Sequence, residues 1–267
     1  MPAKPQPQQI AKEILAALRR LADGELATAA QIFFKEPVRL MGVRAADMHR
    51  IARQTYLRVK PHWKLADAVE LCEIMLPDPR LELKGVALLV CERFGSELDA
   101  GLLPITQQWI ERGDCNSWAV IDTLCPSVLG PLLSRYPELL RQTRRWTKSP
   151  SLWLRRAALV SLIKPARRGE MLDDVYDMTA RLLNDPEDLV QKAAGWLLRE
   201  AGKTDMPRLM SFLRKNGPRM ARTTLRYAIE RFPPTVRHRL LEETRISTVN
   251  KQQTAKHIGQ RTRTRPS

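Results

Sequence analysis

One spacing constrains this chain more than any other feature: similar turns return every 35 or 36 residues. They read Asp78-Pro79, Asp114-Cys115, Ser149-Pro150 and Asp185-Pro186, with first residues 36, 35 and 36 apart, and a weaker start, Asn216-Gly217-Pro218, follows 31 later. Asp or Ser ahead of proline reads as a helix N-cap with proline at the first helical position. Between the turns, apolar residues fall at helical spacing. Ile10, Ile14, Leu15, Leu18 and Leu21 form one amphipathic stripe, and Val69, Leu71, Ile74, Met75 and Leu76 another before Pro77. No stretch alternates apolar with polar residues over six positions with enrichment in Thr, Val and Tyr, and no Asn-Gly hairpin signal is present. A single helix pair cannot bury its apolar face alone, so such units stack. The expectation is an all-α protein, an α-solenoid of antiparallel helix pairs whose concave side is an extended binding surface.

The chain has 267 residues, 43% of them hydrophobic and 28% charged, which excludes wholesale disorder and suffices for a core. Residues 10–245 are expected to form the folded domain, 1–9 a disordered lead and 246–267 a basic, disordered tail. No run of about 18 uncharged apolar residues exists, so no membrane span is expected. The opening MPAKPQPQQI lacks the apolar segment of a secretory signal, so the cytoplasm is the expected location. The cysteines Cys72, Cys91, Cys115 and Cys125 form no CxxC and only four histidines are scattered along the chain, so neither a disulfide framework nor a metal site is expected.

The net charge is +16, and removing the five cations after Ile246 still leaves +11 on residues 1–245. A surface this basic attracts polyanions, phosphate backbones above all. Cations crowd one stretch: Arg141, Arg144, Arg145, Lys148, Arg155, Arg156, Lys164, Arg167 and Arg168, with few acids between them. Stacking is expected to align them into a stripe that tracks phosphates.

Superposing the repeats from the turn residue isolates one anomaly. The ninth position holds Val86, Asp122, Ala157 and Ala193, and the eighth holds Gly85, Ile121, Arg156 and Lys192. A carboxylate in a column of small apolar residues is costly if buried alone, so Asp122 is expected to face a cleft or a cation. Pairing with a neighbouring arginine in a purely structural role is the competing reading. Trp118 lies four residues earlier and so shares its helix face. Trp153 and Trp196 occupy second-helix positions in the following repeats, while Trp63, Trp109 and Trp146 read as core.

The segments NSWAVIDTLCPSVLG (116–130), YPELL (136–140), SLWLRRAALVSL (151–162) and LVQKAAGWLLREAGK (189–203) are similar to the DNA alkylation repair family, the AlkD type of HEAT-like repeat DNA glycosylase. The stretch Met41-Gly42-Val43-Arg44, with Asp47 to Arg53 following, resembles that family's N-terminal region, and the likeness spans roughly 10–232. The resemblance implies HEAT-like repeats and a monofunctional enzyme that excises cationic N3- and N7-alkylated purines from duplex DNA. It further implies Asp122 as the essential acid, Trp118 and Trp196 flanking the lesion, and Arg156 in the cleft. Arg44, Lys148, Arg155 and Lys192 are then the expected DNA-backbone contacts, with Phe33 where relatives place a tyrosine. Ala119, where relatives can carry an acid, is a second departure.

The chemistry suits the residues. An alkylated purine is already cationic and leaves without protonation, so one carboxylate suffices where neutral glycosides need two. That anion stabilises the developing oxocarbenium charge and can orient water. No GxxxxGK[ST], GxGxxG or HExxH occurs, so no cofactor is expected, and no lysine nucleophile suggests a lyase step. The expected partner is double-stranded DNA carrying alkylated bases, bound by a monomer associated with the nucleoid. Two alternatives stay open at this point: a non-catalytic solenoid binding damaged or branched DNA, and a protein-interaction scaffold.

Overall fold

The computed structural model describes residues 4–35 and 37–244, and the expected tail 246–267 lies outside the described residues. The chain runs through α1 (Pro7–Leu21), α2 (Gly24–Ala30), α3 (Ala45–Val59), α4 (Leu65–Met75), α5 (Leu81–Glu92) and α6 (Leu102–Glu111). It continues through α7 (Trp118–Leu124), α8 (Gly130–Arg135), α9 (Leu140–Trp146), α10 (Leu152–Val160) and α11 (Ile163–Arg167). It ends with α12 (Leu172–Arg181), α13 (Asp188–Ala201), α14 (Met206–Asn216), α15 (Arg222–Ala228) and α16 (Pro234–Glu243). Among the described residues no strand forms; Arg39 and Arg80 make one isolated bridge.

Helices α3, α5, α7, α10, α13 and α15 pack side by side in that order, each touching the next. Helices α1 and α4 back α3 and α5, while α6, α9 and α12 back α10, and α12 and α14 back α13. This is the stacked-pair architecture the 36-residue spacing requires. Helix α5 shows why the row holds together. All its residues from Leu81 to Cys91 are buried, as a helix flanked on every side must be. Its Lys84 is buried as well, and Nζ donates to the carbonyls of Leu76 (2.5 Å) and Asp114 (2.6 Å), tying two successive repeat turns together. Trp63, Trp109 and Trp146 are core residues. Cys72, Cys91, Cys115 and Cys125 are buried and unpaired.

Two sequence expectations need correction. The lead is ordered from residue 4: α1 starts at Pro7, Trp63 Nε1 donates to the Pro5 carbonyl at 2.8 Å, and Lys4 pairs with Asp67 at 2.5 Å. Residues 4–9 are therefore part of the fold, while residues 1–3 lie outside the described residues. The repeated turns also start their helices later than Asp-Pro or Ser-Pro suggests. The N-caps are Arg80, Ser117, Ser151 and Glu187. Asp78, Ser149 and Asp185 instead accept from backbone N–H groups two residues on, those of Arg80 (2.9 Å), Ser151 (3.1 Å) and Glu187 (3.0 Å). Their short side chains favour such local turns over caps.

Glycine is required at two places. Gly42 has φ +75°, and a Cβ there would stand 1.9 Å from the Asp23 carbonyl oxygen. At Gly195 a Cβ would stand 2.5 Å from the Thr224 carbonyl oxygen, which is how α13 and α15 come so close.

Candidate active site

Helix α7 carries the acid and has an unusual continuation. Residues Cys125–Leu129 form a π-helical turn leading directly into α8, closed by Gly130 N–H donating to the Cys125 carbonyl. Pro126 lies four residues after Asp122 and has no N–H to give its carbonyl; a proline ring also crowds the carbonyl at that distance. The wider turn absorbs the proline and lets one helical rod run from Trp118 to Arg135.

The site occupies a cleft of about 260 Å³ where α7, α10, α13 and α15 meet, lined by Trp118, Asp122, Arg156, Lys192, Trp196 and Tyr227, with Phe33, Leu189 and Arg199 completing it. Arg156 chelates Asp122, with Nε to Oδ1 at 3.0 Å and Nη2 to Oδ2 at 2.7 Å, while Nη1 donates to the Leu189 carbonyl. The Arg156 side chain is 6% exposed, but that of Asp122 keeps 21%, so the pair is open to the cleft on the carboxylate side. Burial pushes the Asp122 carboxyl above its ordinary value, and the charge and hydrogen bonds of Arg156 pull against that rise. Lys192 pairs with Asp188 one turn earlier at 2.8 Å, which holds the lysine charged and the carboxyl low. Phe34 stacks on Trp118, centroids 5.0 Å apart and planes 20° from parallel, and steadies one wall.

The sequence-derived residues thus divide. Asp122, Trp118, Trp196, Arg156, Lys192 and Phe33 come together in one cleft, Phe33 with 69% of its surface exposed. Arg155 does not. Its guanidinium is bound to Asp185 at 2.6 and 3.2 Å and to the carbonyls of Ser149 (2.9 Å) and Pro150 (3.0 Å), so it clamps turns rather than facing a ligand. Arg156 lies in the cleft, its guanidinium engaged with Asp122 and the Leu189 carbonyl. Arg44 is exposed at the N-cap of α3, outside the cleft, and Lys148 is exposed just after α9.

The basic stripe is also corrected. Arg144, Lys164, Arg167 and Arg168 pair with Asp174, Glu92, Glu200 and Glu170, acids that lie outside the crowded stretch. Arg141, Arg145 and Lys148 make no ion pair among the described residues, and Arg141 and Arg145 sit on the backing helix α9.

Sequence reading missed Tyr227, Arg199 and Phe34. Tyr227 was legible: counted from Asn216 it takes the twelfth position, as Trp196 does counted from Asp185. Phe34 was overshadowed by its neighbour Phe33, and nothing local distinguishes Arg199 from the other arginines.

Stacked helical pairs with an acid, aromatic side chains and cations gathered in one cleft define a repeat protein with a built site. The family model described as DNA alkylation repair enzyme matches residues 14–232, so the chain belongs to that family and its role lies in DNA repair. Among solved structures it is similar to one titled "Predicted DNA alkylation repair enzyme from Enterococcus faecalis", with a TM-score of 0.69 at 15% identity over 80% of this chain and 97% of that one. At that identity the likeness speaks for the fold. A comparison with curated proteins returned no match. Among the described residues no helix is long and apolar enough to cross a membrane.

Proposed function

We propose that this chain is a monofunctional DNA glycosylase that hydrolyses the N-glycosidic bond of cationic N3- or N7-alkylated purines in duplex DNA. The purine leaves with the bonding electrons and its positive charge is quenched. Water adds to C1′ of the sugar and gives its proton to solvent or to Asp122. The ionised Asp122 carboxylate stabilises the oxocarbenium charge between these events. Trp118 and Trp196 present π-faces to the sugar and the cationic base, worth about 0.5–2 kcal/mol each where solvent is excluded. Arg156 keeps the carboxylate ionised and aimed. Arg44, Lys148 and Lys192 serve the phosphate backbone, and no lyase step is invoked.

The observation that carries this reading is the half-open Asp122–Arg156 chelate between two tryptophans. Its test is release of free 7-methylguanine or 3-methyladenine from methylated duplex DNA. The wild type should release base, and Asp122→Asn should still bind DNA but lose most of the release. Equal release by both would move the chemistry elsewhere. The same chelate occupies both carboxylate oxygens, which favours as second reading a solenoid that binds damaged duplex without cutting. No release by the wild type, with salt-sensitive DNA binding retained, would select that reading.

A further inference from the structure

Among the side chains lining the cleft only Tyr227 carries a hydroxyl, and the protein leaves it unused. The charged groups there are already taken: Asp122 and Arg156 hold each other, Lys192 holds Asp188, and Arg199 holds Glu230. Phe33 brings a ring without a polar atom. The Tyr227 hydroxyl differs. It makes no hydrogen bond among the described residues, and its half-buried side chain leaves that oxygen open to solvent. A group entering the cleft can reach it.

Two further features set this phenol apart. The first is anchorage. Tyr227 Cβ lies against the bare Cα of Gly195, where an added Cβ would stand 2.3 Å away, so the ring starts from a fixed point on α13, next to Trp196 in sequence. A side chain held this way has little freedom left to lose when a ligand bonds it. The second is its neighbour. Tyr227 is close enough to Lys192 to act on its charge. The Lys192 ammonium has three N–H groups and gives one to Asp188 at 2.8 Å. A phenol O–H beside an ammonium suits an anion with several oxygens, and both bonds gain from its charge.

In duplex DNA that anion is the phosphate, the acceptor of most protein–DNA hydrogen bonds, tyrosine hydroxyls among the donors. Position gives the contact a use. Asp122 rises from α7 and Tyr227 from α15, the outer two of the four helices that meet at the cleft. A strand gripped at the α15 end is fixed in register with the carboxylate at the α7 end.

We infer that Tyr227 is a positioning residue, whose hydroxyl, with Lys192 beside it, donates to a phosphate next to the lesion nucleotide and holds the sugar toward Asp122. This rests on the reading of the cleft as the seat of an alkylated nucleotide.

The test is a cycle between protein and DNA. The duplex carries one 7-methylguanine whose sugar bears a 2′-fluorine, which withdraws electrons and slows loss of the base. The phosphates flanking the lesion are replaced one at a time by uncharged methylphosphonates, and affinity is read by fluorescence anisotropy. Tyr227→Phe should weaken binding of the unmodified duplex about tenfold, as loss of a hydrogen bond to a charged group does. At one flanking phosphate the methylphosphonate should weaken the wild type but leave Tyr227→Phe nearly unaffected, the signature of a direct pair. Lys192→Gln should lower the salt slope of binding by about one, whereas Tyr227→Phe, which removes no charge, should leave the slope unchanged. A changed slope in Tyr227→Phe would mean that the substitution displaces Lys192, and the assignment would be overturned. It is equally overturned if phenylalanine binds as tightly as tyrosine, or if its loss is the same whichever phosphate is neutralised. Base release from the same duplex without fluorine separates the two readings. No release by the wild type counts against the glycosylase alone; release together with a flat cycle counts against Tyr227 alone.

Discussion

Arg155 and Arg156, adjacent in α10, reach in opposite directions along the array. Arg155 holds Asp185, thirty residues ahead, and Arg156 holds Asp122, thirty-four residues behind. Other arginines span about one repeat in the same way: Arg144 to Asp174, Arg167 to Glu200, Arg199 to Glu230 and Arg208 to Asp173. Many of the arginines therefore join neighbouring helix pairs, and the excess of cations over acids is what remains outside such pairs.

The Arg155 clamp gives the first prediction. The Asp185 side chain is 3% exposed, so Arg155→Ala strands a buried carboxylate. Breaking one partner of such a pair costs about 3–5 kcal/mol. Urea unfolding should show a loss of this size, and Asp185→Asn added to Arg155→Ala should recover part of it. Where the variant is folded, base release should match the wild type.

A second prediction concerns pH. In the proposed mechanism the ionised form of Asp122 is the active one, and burial raises its proton affinity despite Arg156. Single-turnover base release should therefore fall as pH drops through a value above the ordinary carboxylate range near about 4. Arg156→Gln removes the opposing charge, so its acid limb should lie at still higher pH. A limb unmoved by that substitution would detach Arg156 from the acid.

Glu200 predicts the opposite sign, in stability. Burial pushes its carboxyl up, but hydrogen bonds from Lys203 and Arg167 win and hold it below its ordinary value. A carboxyl lowered in the folded state stabilises above its unfolded pKa, near about 4.3, and loses that contribution as pH falls through the folded value. Thermal melts from pH 6 to 3 should show Glu200→Gln less acid-sensitive than the wild type, though less stable at pH 6.

Gly195 supplies a packing test. Alanine would force α13 away from the Thr224 carbonyl and the Tyr227 Cβ. Overpacking of this kind costs about 1–3 kcal/mol. The melting temperature should drop, and base release should slow as well, because Trp196 and Tyr227 ride on the two displaced helices.

The repeat architecture was legible because period and amphipathic stripes are local properties. Asp122 was legible because it broke a column of small residues. What one segment must do for another was not. Asp185 reads as a cap until the structure shows it accepting from Glu187 and gripping Arg155. The run from Arg141 to Arg168 reads as a phosphate track because the acids that answer it lie up to a repeat or more away in sequence. Trp63 fixes the leader through the Pro5 carbonyl, a contact 58 residues long that no window reveals.

The wide turn at Cys125–Leu129 has a consequence for how such a site can change. Each residue in a regular helix advances the direction of the next by about 100°. That turn spends five residues where a regular one spends about four, so deleting one, Ser127 for instance, would restore even winding with the Trp118–Asp122 face at nearly the same bearing to α8, but with Pro126 forced into a regular turn against the Asp122 carbonyl. The irregularity thus costs the rod one residue and lets a proline sit just behind the carboxylate without kinking the helix that carries it.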